Sequence, residues 1–431
     1  MRLFARGLSA AALVLAPLAV AGTPAVAAIP VPTPETTLAP LRTHENAIAG
    51  QYIVTLDKTL DPASTAQKIG VKPFFTYSRA LRGFAITLSE AQVDTVRAMP
   101  GVESVEQNAP VTASAPTHTT GAGAVLTPAH TTGAGTVLAP ARTTGAGTAL
   151  DSAGSRIKAS SWGLDRIDQR QLPLDGQFNT TGKGAGATAY ILDTGIDYAH
   201  SEFGGRAVPG YDAIGDGRNG QDCNGHGTHV AGTVGGATFG VAPQAALVSV
   251  RVLGCDGSGT WAGVVAGLDW VAQNAQQPAV LNASLGGDSS TAVDDAVNAL
   301  ADAGVLPVVA AGNNSTDACG VSPARAEGAF TVGATTSSDQ QASFSNYGSC
   351  LSIYAPGEDI VSARLGGGSL SESGTSMASP HVAGVAVLYK ATHPAASAAE
   401  VGSWLLGAST AGVLGGVTPG SPNNLLYTGG L

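Results

Sequence analysis

Three short motifs carry side chains able to do covalent chemistry. Asp193 follows the apolar run Tyr190-Ile191-Leu192 and precedes Thr194-Gly195. A carboxylate at the carboxyl end of a buried strand sits where parallel sheets collect reactive groups, although Asp is also a common turn former. Chemistry by two carboxylates sharing a proton would need a second Asp-Thr-Gly, and the chain has one. His226 and His229 lie three apart in Asn224-Gly225-His226-Gly227-Thr228-His229, with Asp222 and Cys223 beside them. That pattern suits a metal site, a core histidine or a general base. The flanking glycines would let another segment approach the first imidazole closely. Ser376, in Ser373-Gly374-Thr375-Ser376-Met377-Ala378-Ser379-Pro380, opens an apolar stretch that runs to about Tyr389. A serine at a helix start is either a cap or a nucleophile beside a terminus that favours anions. Pro380 is tolerated only near such a start.

These residues need a scaffold, and the pattern from Trp162 onward supplies one. Apolar runs at 188–192, 247–253, 280–285 and 305–311 read as strands, and 264–274 and 293–303 read as helices. Strands alternating with helices predict a mostly parallel sheet covered on both faces, a three-layer α/β/α sandwich. Residues 47–112 read as a separate small α+β unit. Its strands are 51–56, 83–88 and a third from Val102, and a capping box of Ser89 with Gln92 opens a helix to Ala98.

Between the two, residues 113–154 include three twelve-residue copies, HTTGAGAVLTPA, HTTGAGTVLAPA and RTTGAGTALDSA. With almost no bulky side chain they cannot bury a core, which predicts a flexible linker. Residues 1–28 have Arg2 and Arg6, an apolar run from Leu8 to about Val20 and the small residues Ala25-Val26-Ala27-Ala28. This is the layout of a secretory signal, too short and too broken by Pro17 and Pro24 for an anchor. The expected location is extracellular, where disulfides form. Residues 155–431 carry eleven Lys/Arg against twenty-two Asp/Glu. So acidic a unit, without a basic run, argues against nucleic acid or an anionic membrane as partner.

Taken together, Asp193, His226 and Ser376 stand in the order Asp, His, Ser with gaps of 33 and 150 residues. The chain resembles the subtilisin-like serine proteases, proteinase K branch, and within it the aqualysin-like enzymes. The resemblance rests on YILDTGID (190–197), DCNGHGTHVAGT (222–233), NASLGG (282–287), VVAAGNN (308–314), SFSNYGSC (343–350) and SGTSMASPHVAG (373–384). Residues 47–112 resemble the inhibitory prosegment of that family.

The resemblance implies a secreted, self-processing serine endopeptidase, monomeric, that acts on protein and peptide substrates and is inhibited by its own prosegment. Ser376 would be the nucleophile, His226 the base, Asp193 its partner and Asn313 an oxyanion donor. Gly257-Ser258-Gly259 and Ser284-Leu285-Gly286 would sandwich an extended peptide, with Trp261 beside a further subsite. Ala310, Ala311 and Gly312 would line an uncharged pocket for an apolar or aromatic P1 residue. A non-catalytic peptide-binding member of the fold is the alternative. The resemblance also pairs Cys223 with Cys255 and Cys319 with Cys350, and places the mature start near Ser155. No cofactor is expected for the chemistry. A structural calcium ion is expected on Asp165, Asp168, Gln169, Asp175 and Gln177, whereas Ser352 replaces the carboxylate of a second family site.

Overall fold

The computed structural model describes residues 38–113 and 157–431. The expected signal segment 1–28 lies outside the described residues, as does all of the expected linker except Ala113.

Strand Thr188–Asp193 lies inside a nine-stranded sheet. The order across the sheet is Ala207–Asp212, Ala246–Arg251, Thr188–Asp193, Ala279–Ala283, Leu306–Ala310, Phe330–Thr335, Ile353–Pro356, Asn424–Leu425 and Thr410–Ala411. Every pairing is parallel except the last. Because strand side chains alternate, Ala189 and Ile191 face one layer while Tyr190 and Leu192 face the other. Ala189 and Ile191 pack with Val230, Val234, Val382 and Val385, from helices His226–Gly235 and Thr375–Thr392. Tyr190 and Leu192 pack with Val264, Leu268, Val293 and Val297, from helices Trp261–Asn274 and Thr291–Asp302. The fold is therefore the expected three-layer α/β/α sandwich. Several boundaries differ from expectation by a residue or two, and two differences bear on the site. The helix expected from 264 begins at Trp261, because the Thr260 side chain accepts from Gly263 N and caps it. The run expected at 280–285 is split, and Leu285–Asp288 leaves the main sheet for a second one.

The small unit is a five-stranded sheet in the order Leu41–Arg42, Val102–Gln107, Gln51–Leu56, Gly83–Thr87, Phe75–Tyr77. The Ser89 and Gln92 capping box forms as expected and opens helix Glu90–Arg97. Helix Pro62–Ile69 and strand Phe75–Tyr77 were not legible as elements in the sequence. The packed unit also begins before residue 47, since Leu41 and Arg42 pair with Val105 and Glu106.

The disulfides are Cys223–Cys255 and Cys319–Cys350, closing separations of 32 and 31 residues. Loops of that size correspond to about 3–4 kcal/mol each in the chain-entropy account.

Candidate active site

Asp193 ends its strand fully buried, and its backbone carbonyl accepts from Val252 N at 2.9 Å and Leu253 N at 3.2 Å. Its carboxylate meets His226 Nδ1 at 2.8 and 3.0 Å. His226 is the first residue of helix His226–Gly235, and the glycines on either side make the approach possible. A Cβ on Gly227 would stand 2.2 Å from Gly195 O, in the turn that follows Asp193. Gly225 caps the helix with φ 114°, a conformation that suits glycine. Burial works against a charged imidazole at His226. The Asp193 charge and hydrogen bond, with smaller contributions from Glu372 and Asp222, outweigh it and leave the pKa above 6.5. His229, the other half of the pair, has Nε2 at 3.1 Å from both Ile360 O and Leu370 O. Burial drives its pKa down to about 4, so it is a neutral core histidine tying down the distant hairpin of Ile360–Ala363 and Ser369–Glu372.

Ser376 is the second residue of helix Thr375–Thr392, behind Gly374. Pro380 lies deeper in this helix than the first turn, and its missing N–H would have bonded to Ser376 O. Ser284 Oγ fills that vacancy, donating to Ser376 O at 2.9 Å, while Ser376 Oγ donates to Ser284 O at 3.2 Å. The proline is thus compatible with the helix because it frees the carbonyl by which Ser284 holds Ser376. His226 Nε2 is buried and makes no hydrogen bond with Ser376. Asn313 has its amide oxygen held by Thr375 N at 2.9 Å and Thr375 Oγ1 at 2.8 Å. This fixes the acceptor end of the amide and with it the orientation of Nδ2.

The groove beside these residues holds part of the same chain. Pro110–Ala113 lies antiparallel between Ser258–Thr260 on one side and Leu285–Asp288 on the other. Ala113 N donates to Gly257 O at 2.9 Å. The strand of this chain thus lies between the two segments that sequence reasoning assigned to peptide binding. Ala310, Ala311 and Gly312 line an adjoining cavity of about 540 Å³ together with Asn313, Thr112 and Ala113. Among the described residues, Asp288 is the one charged residue on its wall. Trp261 N donates to Ala109 O at 3.0 Å, just before the bound strand, and Trp261 shares a buried apolar cluster with Val111.

The positioning roles of several residues escaped sequence reasoning. Asp222 accepts from Thr194 Oγ1, Asn224 N, Gly225 N, Thr228 N and Thr228 Oγ1, and so ties the turn after Asp193 to the helix that begins at His226. Its place four residues before His226 was the available signal, that of an acidic residue near a helix N-terminus. Thr375 and the Ser284 hydroxyl act on Asn313 and Ser376, and no local pattern marks them.

The expected calcium residues come together on one loop, but not as a dense carboxylate cluster. Among the described residues, no three acidic, histidine or cysteine side chains converge as a metal site does. Asp165 accepts from Asp175 N at 3.2 Å and Gly176 N at 2.8 Å, and Asp168 accepts from Asn179 N and Nδ2, both at 2.7 Å. Gln169 Oε1 accepts from Asp175 N, and Asp175 Oδ1 accepts from Gln177 N. Burial raises the pKa of Asp165 and Asp168, and mutual repulsion with Asp175 adds to it. Asn179 Oδ1 is buried without a hydrogen-bond partner. Carboxylates whose charge burial disfavours and an orphaned amide oxygen are the features here that a hard cation would relieve.

A parallel α/β sandwich with a strand-binding groove beside a buried Asp–His pair and a helix-start serine defines a class of peptide-bond hydrolases. Residues 184–425 match the subtilase family (peptidase S8), and residues 51–114 match the peptidase inhibitor I9 family. The chain belongs to the subtilase family and is a subtilisin-like serine protease with an I9 prosegment. An extracellular serine proteinase of Thermus sp. (strain Rt41A) is 46% identical over 92% of this chain and 94% of its own length. The alkaline serine exoprotease A of Vibrio alginolyticus is 42% identical over 89% of this chain and 68% of its own. A crystal structure of a cold-adapted subtilisin-like serine proteinase superposes with TM-score 0.62 at 52% identity, covering 63% of this chain and 99% of that one.

Proposed function

We propose that this protein is a secreted, self-processing serine endopeptidase in which Ser376 attacks the scissile carbonyl. His226 takes the Ser376 proton and returns it to the leaving amine, and Asp193 holds the imidazole and stabilises its charged form. Asn313 Nδ2 and Ser376 N steady the oxyanion. The observation that carries this reading is the seating of Pro110–Ala113 as a substrate-like strand beside Ser376. Backbone pairing of this kind accepts many sequences, as a broad protease requires. The uncharged Ala310, Ala311 and Gly312 walls favour an apolar or aromatic P1 side chain, and a Phe, Ala and Lys substrate series should rank in that order in kcat/KM. The domain plan is that of a zymogen: signal 1–28, prosegment 47–112, linker 113–154 and catalytic unit 155–431. Export is supported by the extracellular relative and the two disulfides; no helix among the described residues is long and apolar enough to cross a membrane. Reaction of the folded enzyme with a serine-directed phosphonate tests the proposal. Labelling at Ser376 is expected, and its absence in folded protein would leave a peptide-binding module instead.

Calcium, when bound, would supply charge neutralisation for the loop 165–179 and no chemistry. Asp165, Asp168, Gln169, Asp175 and Gln177 would hold it, with Asn179 as a further oxygen. The ion should raise the melting midpoint by mass action, and Asp168→Ala should remove most of the rise. A wild-type midpoint that ignores both calcium and chelator would end this assignment.

A further inference from the structure

We propose that Asn346 is a positioning residue for oxyanion stabilisation, acting through Asn313. The proposal rests on the reading above that Asn313 Nδ2 donates to the oxyanion, and it goes beyond that reading by naming what holds Asn313 in place.

Asn313 lies on a turn and not in the sheet. Strand Leu306–Ala310 ends before it, and just past the strand Ala311 N still donates to Val332 O at 3.0 Å. The turn that follows is conformationally costly. Gly312 has φ 103°, and Ser315, a non-glycine residue, has φ 53°. Left to itself such a turn would relax. A donor tolerates little relaxation, since a shift of about 1 Å can cost about 100-fold in rate.

Two side chains hold the turn. Thr375, from the helix that carries Ser376, donates to the Asn313 amide oxygen at 2.9 and 2.8 Å and accepts from Gly312 N at 3.0 Å. Asn346 grips the backbone on both sides of Asn313. Its Nδ2 donates to Ala311 O at 2.8 Å. Its Oδ1 accepts from Asn314 N and Thr316 N, both at 3.0 Å, and from Thr316 Oγ1 at 3.3 Å. Asn346 is 1% exposed, and each of these bonds goes to residues 311–316. The fit is close. A Cβ on Gly312 would stand 2.4 Å from Asn346 Nδ2, so the pocket wall is glycine where the amide passes.

The backbone bonds and the side-chain bonds predict different losses. Asn346 N donates to Gly312 O at 2.9 Å, and this bond and that from Ala311 N to Val332 O survive Asn346→Ala. The wall of Ala310, Ala311 and Gly312 therefore keeps its place. The bonds to Asn314 N and Thr316 N are lost, and with them the anchor beyond Asn313. Substrate binding should hold while transition-state stabilisation falls.

The test is a double-mutant cycle on purified enzyme, with active sites counted by the serine-directed phosphonate so that misfolded protein drops out of the rate. Asn313→Ala should cut kcat about 100- to 1,000-fold, the range known for a subtilisin oxyanion donor. Asn346→Ala should cut kcat about 10- to 100-fold, with KM within about 2-fold of the parent. In the Asn313→Ala background the same substitution should change kcat by less than about 2-fold, because the donor it positions is gone. Full additivity, or a loss that falls on KM instead of kcat, would overturn the positioning role alone. An Asn313→Ala variant with unchanged kcat would overturn the oxyanion reading and the proposal with it. Asn346→Leu, of similar volume and without polar side-chain atoms, carries the same cycle should the alanine variant yield no titratable sites. Asn346→Asp keeps an acceptor for Asn314 N and Thr316 N, so it should restore kcat to within about 5-fold of the parent. An aspartate variant as slow as the alanine one would count against the proposal.

Discussion

In the nine-stranded sheet, successive residues of Thr188–Asp193 face helices of their own unit on both sides. In the five-stranded sheet, successive residues of Gln51–Leu56 do not. Tyr52, Val54 and Leu56 pack with Ala66, Val93 and Val96 from the unit's own helices. Ile53, with Tyr77 and Ala85, packs instead in the cluster of Trp261, Val265, Val293 and Val297. The small sheet thus borrows half its cover from the larger unit. The polar contacts are borrowed as well. Asp269 accepts from Ser78 N at 3.0 Å, Arg79 N at 2.6 Å and Ala80 N at 2.8 Å. Glu106 accepts from Ser290 Oγ and from Ala292 N, at the start of helix Thr291–Asp302. A sheet of this size with one face bare is marginal alone, so the prosegment's fold and its grip on the enzyme are one equilibrium.

The largest expected effect divides the two units by chemistry. Ser376→Ala should cut kcat by about 10⁶-fold, the size known for subtilisin itself, while leaving prosegment binding intact. Loss of binding in that variant would mean that Ser376 is part of the docking surface. Asp193→Asn should lower kcat by roughly 10⁴-fold. It should also move the acid limb of the pH profile. His226 acts as a base only when neutral, and Asp193 is the main influence holding its pKa above 6.5. Activity should therefore fall as pH drops through that raised value, and removing the Asp193 charge should shift the fall to lower pH. A limb that stays in place would remove His226 as the titrating base.

Asp269→Ala sharpens the comparison from the other side. Three backbone N–H groups of the prosegment lose a charged acceptor, which should weaken inhibition by the prosegment about 100-fold, with kcat on a small peptide unchanged. An unchanged inhibition constant would show that the apolar face alone holds the unit.

The smallest effect is one of acid stability, and it belongs to the catalytic unit. His229 and His381 are buried, and burial lowers both from 6.5 to about 4. Their contribution is full above pH 6.5 and is lost as pH falls from 6.5 toward 4. His226 has the opposite sign, since its raised pKa adds stability below 6.5 that fades above its native value. Melting of the mature enzyme from pH 7 to 4 should show a falling midpoint. A flat curve would contradict the buried, neutral state of both histidines.

Much of this was legible in short stretches of chain. The apolar runs in Gln51–Leu56 and Thr188–Asp193, the Ser89 capping box and the strand–helix rhythm after Trp162 are local signals, carried by residues close together in the chain. Residue types and their order pointed to Asp193, His226 and Ser376, and the geometry joins the first two directly. Position 261 as a helix start was missed because the signal, a capping Thr260, is a single hydroxyl.

What the sequence by itself determined is therefore the set of elements and the identity of the reactive groups. The tertiary structure decided who touches whom across long separations. Ser284 meets Ser376 across 92 residues, and Ser78 meets Asp269 across 191. Nothing local to Pro380 says that a distant serine hydroxyl takes the place of its missing N–H. Nothing local to Pro110–Ala113 says that this strand completes another unit's sheet. Such contacts exist only once the sheet has set the distances, since a hydrogen bond depends on tenths of an ångström that no residue pattern encodes.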